Sequence, residues 1–277
     1  MKFSGTSSYY LSPELEAIVN MAISMEKPLL LTGEPGTGKT QLALEISRGL
    51  GLDIEILRAK STIKGEEACY TQDTVLRLND ARFGSGETGR QVQQFYDYVV
   101  WGPIGRAFRA ETRTVLLLDE IDKTESDVQD NLLDVLEENQ FVIREVNETI
   151  QAKHAPIIII TSNAKRELSD PFLRRCFCHH IAFPTAVEMR QIIGLHYPEA
   201  PPQLVDHCLE LFYELRAQGF EKPPATSELL NWLEALQRSG QTPTEQRDIP
   251  FPGILLKRTG DILAHRSGNR KKHRPVF

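Results

Sequence analysis

The run Gly33-Glu34-Pro35-Gly36-Thr37-Gly38-Lys39-Thr40 has the spacing G-x-x-x-x-G-K-[ST]. Its glycines let backbone amides turn inward on phosphate oxygens, where the N-terminus of a following helix adds positive potential. Lys39 is then placed to reach the β and γ oxygens of a nucleotide, and the Thr40 hydroxyl to hold Mg2+. A glycine-rich turn that binds nothing has a similar composition. Context argues against it, because the apolar run "PLLLT" (28–32) precedes the loop and an amphipathic helix follows.

The segment "VLLLDEID" (115–122) ends a second apolar run in paired acids. An aspartate at the carboxyl end of a buried strand sits where ligands bind in open parallel sheets. Asp119 is read as serving the Mg2+ shell, largely through water, and Glu120 as the group that orients and deprotonates the attacking water. A solvated acidic turn would explain the acids alone; beside a phosphate loop they read as a hydrolysis site. The sequence has no N-K-x-D segment of the kind that recognises guanine, so ATP is the expected nucleotide. "IIIITSN" (157–163) ends in Asn163, whose carboxamide suits either the water or the γ-phosphate. "SDPFLRRC" (169–176) sets Arg174 beside Arg175. They read either as ordinary surface pairs or as cations that reach a neighbouring subunit's γ-phosphate, a task suited to arginine. The C-x-C-H-H of "CFCHH" (176–180) is too tight for zinc-ligand spacing, and alternate residues of a strand face opposite sides.

These residues need a sheet to hold them. Short apolar runs, "PLLLT", "DIEIL" (53–57), "TVLLLD" (114–119), "PIIIIT" (156–161) and "FCHHIAF" (177–183), alternate with helical patterns. That alternation predicts a parallel sheet flanked by helices. Val115–Leu118 and Ile157–Ile160 are apolar without alternation, as strands covered on both faces must be. Leu42, Ala43, Ile46 and Leu50 predict the helix after the loop, and Val128, Leu132, Val135 and Leu136 another over about 125–139. "FVIREVNETIQAK" (141–153) reads as a hairpin turning at Asn147-Glu148.

Beyond Pro184 the patterns are helical only. Thr185 and Glu188 form a capping box, a helix spans 203–216 with Gly219 able to close it, and a third spans 227–238 up to Gly240. "GQTPTEQRD" reads as a loop and "GILLKRTGDILAH" as a last helix. The expected division is an α/β domain over 1–183, with inserts at about 64–100 and 141–153, and a small all-α domain over 184–264. A basic, disordered tail is expected over 265–277.

Composition narrows the function classes. The chain has 277 residues and a formal charge of −6. Five Lys/Arg and no acid fall within 265–277, which leaves 27 basic against 38 acidic residues elsewhere. Net acidity argues against a nucleic-acid coat. No apolar run approaches the roughly 20 residues of a membrane span, and the N-terminus lacks the apolar core of a signal peptide. Four irregularly spaced cysteines do not suggest a disulfide framework, so cytoplasmic residence is the expectation.

Taken in order, the phosphate loop (Walker A), the Asp119-Glu120 strand (Walker B), Asn163, the paired arginines and the helical region resemble an AAA+ ATPase over nearly 10–260. More narrowly the chain resembles the MoxR branch, in a bacterial subgroup encoded beside von Willebrand A-domain proteins. "DTVLRLNDARFG" (73–84), "GPIGRAFRAETRTVLLLDEIDK" (102–123) and "PPATSELLNWLEAL" (223–236) carry that closer likeness. The resemblance implies a ring, usually a hexamer, with ATP between subunits and inserts that act on a client. It implies a chaperone that matures partner complexes together with the A-domain protein. It makes Asn163 sensor 1, and Arg174 and Arg175 finger candidates. Many such proteins carry a sensor-2 arginine near the start of the third lid helix. Here Thr226, Ser227 and Glu228 stand there, so nucleotide-driven lid closure is expected either to use another cation, with Arg106 and Arg109 as candidate substitutes, or to be weaker. Two other readings are an ATP-dependent assembly switch with little hydrolysis and a DNA-directed motor, for which only the basic tail speaks.

Overall fold

A computed structural model describes residues 1–61, 65–84, 86–243 and 249–267. The chain forms two compact units, one of residues 1–6, 11–33 and 39–181, the other of 7–10, 34–38 and 182–277.

In the first unit, helix α1 (Pro13–Met25) opens on Ser12, whose hydroxyl accepts from the Leu15 amide, with Pro13 at the first helical position. Both are good choices for a helix start. Strand β1 (Leu29–Thr32) leads to α2 (Lys39–Leu50) and β2 (Ile54–Arg58). On α2, Leu42, Ala43 and Ile46 are buried, while Leu50 is half-buried near the helix end. The first insert holds α3 (Gly65–Cys69), β3 (Tyr70–Gln72), α4 (Thr74–Phe83) and β4 (Val99–Trp101). Helix α5 (Pro103–Arg109), strand β5 (Val115–Asp119) and α6 (Ser126–Glu138) follow. Then come β6 (Gln140–Ile143), β7 (Glu148–Gln151), β8 (Ile157–Ser162), α7 (Asp170–Arg175) and β9 (Phe177–His180).

Five strands form one sheet in the order β2-β5-β8-β1-β9, all parallel. Leu116, Leu117 and Leu118 on β5 and Ile159 and Ile160 on β8 are essentially inaccessible. A central strand with both faces covered has no reason to alternate. This is the expected α/β arrangement, a five-stranded parallel sheet flanked by helices.

The two inserts lie together. Strands β3 and β4 pair antiparallel, as do β6 and β7. Tyr70 on β3 stacks on Phe141 of β6 with ring centroids 6.0 Å apart, and its hydroxyl donates to Glu145 at 2.8 Å. Within the first insert, Asp80 accepts from Arg90 at 2.9 Å and from the buried Tyr98 hydroxyl at 3.0 Å. The Arg90 guanidinium accordingly holds the Asp80 carboxyl below its ordinary value.

The hairpin departs from the expected turn. Ile143 pairs with Glu148, so the chain reverses through residues 144–147, and Glu148 is already strand. Asn147 alone is left-handed (φ 51°), whereas a two-residue type I′ turn needs two such residues.

In the second unit, α8 (Ala186–His196) begins on the complete Thr185/Glu188 capping box. Helices α9 (Pro202–Ala217) and α10 (Thr226–Ser239) pack through Phe212, Leu215, Trp232 and Leu233. Gly219 (φ 70°) and Gly240 (φ 66°) take the left-handed conformation that ends a helix. The expected last helix is two: α11 (Pro252–Leu255) and α12 (Thr259–Ser267), with Leu256 extended between them. Residues 244–248 of the expected loop and 268–277 of the basic tail lie outside the described residues. Among the described residues no helix is long and apolar enough to cross a membrane.

Gly105, inside α5, has no room for a side chain, since a Cβ there would collide with the Cys69 carbonyl of α3. Helix propensity alone would favour alanine by about 1 kcal/mol, and overpacking typically costs about 1–3 kcal/mol. Gly105→Ala should therefore lower the urea midpoint at an unchanged denaturant slope, checked by equilibrium unfolding.

Candidate nucleotide site

The register of the sheet assembles the site. Leu118 on β5 lies beside Ile160 on β8, and Thr32 on β1 beside Ser162. The carboxyl ends of three strands thus come level, which brings Asp119 next to Thr161.

The loop between β1 and α2 turns on Gly33, Gly36 and Gly38 (φ 145°, 81° and 89°). At Gly36 a Cβ would also lie 2.5 Å from that of Ala225, so glycine is required there twice over. The Thr37 hydroxyl donates to the Glu34 carbonyl at 3.0 Å, and the Lys39 ammonium donates back to the Gly33 carbonyl at 2.8 Å. Lys39 is buried. An ammonium turned onto the loop's own first carbonyl is a charge held where a phosphate would be cradled.

Asp119 Oδ1 accepts two hydroxyls, Thr40 at 2.7 Å and Thr161 at 2.8 Å. The same Thr161 oxygen accepts the Glu120 amide at 2.8 Å. Glu120 is left-handed (φ 57°, ψ 49°). Its Oε1 accepts from Asn163 Nδ2 at 2.9 Å, and its Oε2 pairs with Lys123 one short turn later. That bond to Glu120 is the main reason the Lys123 ammonium is held above its ordinary value. Buried Asp122 accepts the amides of Asn163 (3.3 Å) and Lys165 (3.1 Å), which ties the end of β8 to the turn after β5. A hydroxyl and a carboxylate in contact are hard oxygen donors, a set that fits Mg2+.

The structure therefore joins Thr40, Asp119, Glu120 and Asn163 in one hydrogen-bonded set. Thr161, Asp122 and Lys123 belong to it too, and the sequence reading passed over all three. The threonine lay inside the quoted strand, but as a strand residue it carried no signal of its own. Lys123 sits three residues after Glu120, a spacing that could have been noticed.

The two arginines separate. Arg175 is bound to Asp134 at 2.7 Å and Glu137 at 3.3 Å, both on α6. Arg174 is exposed and makes no ion pair or side-chain hydrogen bond among the described residues. Arg106 and Arg109 do not stand at the site. Arg106 is held by Glu55 at 2.7 Å, and Arg109 lies over the Trp101 ring at 4.1 Å. Glu55 is in register with Leu116, three residues before Asp119. In the second unit, Arg216 pairs with Glu34 of the glycine loop at 2.7 Å and donates to the Pro224 carbonyl at 2.6 Å. Its guanidinium lies 3.4 Å from the Phe183 ring centre. Sequence reading missed it because it sits mid-helix.

Near β9, Cys176 is buried and Cys178 exposed. Burial pushes the Cys176 thiol up to about 12, away from the thiolate that binds metal. Among the described residues no group of three or more His, Cys, Asp or Glu is arranged to hold a metal ion.

Residues 28–176 match the family model of the AAA domain, dynein-related subfamily. Among curated proteins the chain is 28% identical over 210 residues to Lon protease 1 of Bacillus subtilis (strain 168), covering 71% of this chain and 24% of that protein. It is 29% identical over 209 residues to the Lon protease of Brevibacillus choshinensis, covering 71% and 23%. The chain spans about a quarter of the length of the curated relatives it matches.

Thr161→Val keeps the shape of the side chain and removes both hydrogen bonds. It should cost about 1–3 kcal/mol of stability, through the unmatched Glu120 amide and Asp119 oxygen. It should lower ATP turnover more than it lowers nucleotide affinity, because the loop that would hold the phosphates is untouched. Thermal unfolding and steady-state turnover measured on the same preparation check both.

Proposed function

The chain belongs to the family of AAA ATPase domains, in its dynein-related subfamily, and we propose that it hydrolyses ATP in a ring of its own copies to remodel a partner protein complex. The observation that carries this reading is the continuous set from Thr40 through Asp119 and Thr161 to Glu120 and Asn163. A phosphate cradle needs only the loop. A carboxylate base held by a second strand's carboxamide is what in-line attack by water requires.

In this reading the amides of Gly33–Gly38 and Lys39 bind the phosphates. Thr40 and Asp119 hold Mg2+, which when bound neutralises phosphate charge. Glu120 takes the proton of the attacking water, and Asn163 fixes the carboxylate that does so. Arg174 reaches the γ-phosphate of a neighbouring copy, because Arg175 is already committed to α6.

The client-facing part of the proposal rests on the inserts. Val75, Leu78 and Phe83 on α4 and Val142 and Val146 at the hairpin are exposed, Phe83 by 84%. Apolar side chains displayed this way suit transient contact with another protein. With the MoxR-like stretches of sequence, they support a chaperone that acts with a von Willebrand A-domain partner in a hexamer. The assembly-switch reading draws on Thr226, Ser227 and Glu228 at the start of α10. Turnover measured together with oligomer size separates the two: ATP-driven assembly with negligible turnover favours the switch.

Lys39→Ala should abolish nucleotide binding. Glu120→Gln should retain it, trap the ATP-bound oligomer and lower turnover on the order of 10²–10⁴-fold. Normal turnover in that variant would remove Glu120 from its role. Arg174→Ala should lower turnover on the order of 10³-fold at unchanged nucleotide affinity. Arg175→Ala should chiefly lower the melting temperature. The reverse assignment of the two arginines would be read directly from the same pair of assays.

A further inference from the structure

Arg216 holds two pieces of chain with one guanidinium. Its Nη2 pairs with the Glu34 carboxylate at 2.7 Å, and its Nη1 donates to the Pro224 carbonyl at 2.6 Å. These partners flank a close approach within the second unit. Gly36 follows Glu34 by two residues and Ala225 follows Pro224, and a Cβ on Gly36 would lie 2.5 Å from that of Ala225. The plane of the guanidinium is preset. It lies 3.4 Å from the Phe183 ring centre, and that ring stacks in turn on buried Phe212. The Arg216 side chain is 15% exposed against 56% for Glu34, so the arginine is the fixed member of the pair and the loop acid the one it catches. A planar fork serves an acid and a carbonyl at once, which the point charge of a lysine on its flexible stem does not.

We infer that Arg216 is a positioning residue for the glycine loop, locking residues 34–38 against the start of α10 before nucleotide arrives. The inference rests on the reading of that loop as a phosphate site. Gly36 and Gly38 are left-handed, and glycine brings conformational freedom that binding has to remove. A loop already held in its binding shape loses less on taking up a ligand. Arg216 acts through Glu34 and Pro224, and it also sets a positive charge against an acid that repels polyphosphate.

Arg216→Met, in the full chain, should weaken binding of Mg-ADP by about fivefold in titration calorimetry, the size of one modest ion pair. The turnover number at saturating ATP should change little, so the effect falls on KM. Arg216→Lys keeps the charge but gives up the fork and the stack, and should show most of the same loss. Wild-type affinity in Arg216→Lys would make charge alone the cause and overturn the positioning role, and wild-type affinity in Arg216→Met would overturn it outright. Hydrogen exchange over the loop peptide, without nucleotide, gives a reading independent of turnover. Exchange at Gly36, Thr37 and Gly38 should quicken in both variants and in Glu34→Gln, which alters only an exposed side chain, while α8 keeps its protection. An arginine that served stability alone would speed exchange throughout the second unit. That pattern, or an unchanged loop, overturns the inference and leaves the hydrolysis reading standing. Wild-type protein that binds neither ADP nor ATP sinks the phosphate reading, and this inference with it, even where exchange shows that the loop is tied.

Discussion

One oxygen organises the site. Asp119 Oδ1 accepts the Thr40 hydroxyl from the helix after the glycine loop and the Thr161 hydroxyl from the neighbouring strand. Remove that acceptor and three pieces of chain far apart in sequence lose their common point. The sheet makes the meeting affordable. Parallel strands β1, β5 and β8 bring their carboxyl ends level, and the buried isoleucines and leucines behind them fix the register that decides which side chains are adjacent. A slip of one residue would turn each of these side chains to the opposite face. The apolar core is therefore the reason that the polar contacts have defined lengths.

The inserts extend the same logic to the far part of the first unit. Tyr70 serves two elements at once, with its ring on Phe141 and its hydroxyl on Glu145. Tyr96 on the first insert donates to Glu148 of the hairpin at 2.5 Å. Segments that are separate insertions along the chain are thus one body in space. That body is anchored by aromatic rings on its inner side and displays valine, leucine and phenylalanine outward. Such a division of labour lets it keep its shape while offering an adaptable surface.

What the sequence made legible follows from which signals are local. The glycine loop, the uninterrupted apolar strands and the capping box at Thr185 each declare themselves within a few residues, and each is where it was expected. Helix α1 had its own local signal in Ser12-Pro13 and went unread. Long-range choices were not legible. Arg174 and Arg175 are neighbours in sequence, and only the placement of Asp134 and Glu137 on α6 shows that one is bound and the other is not. Arg106 and Arg109 looked available because nothing in the sequence reveals Glu55 on β2 or Trp101 on β4 as their partners. Thr161 was hidden for a different reason: threonine is an ordinary strand residue, and its role comes from the strand beside it.

The left-handed backbone of Glu120 follows from a geometric problem in the Asp119-Glu120 pair. Consecutive residues of a strand point to opposite faces, so two adjacent acids on an unbroken strand could not serve one site. The strand ends at Asp119, and Glu120 takes φ 57°. This conformation costs a side-chain-bearing residue about 1–2 kcal/mol. Glycine would adopt it freely but would bring no carboxylate. The Thr161 hydroxyl on the Glu120 amide and the Asn163 amide on its carboxylate offset that cost, and both come from β8 or its end. The strain is thus held by the same strand that orients the acid. A single hydroxyl then links the two acids, since it donates to Asp119 while it accepts from Glu120. Any displacement of Asp119 is transmitted through Thr161 to the backbone of Glu120.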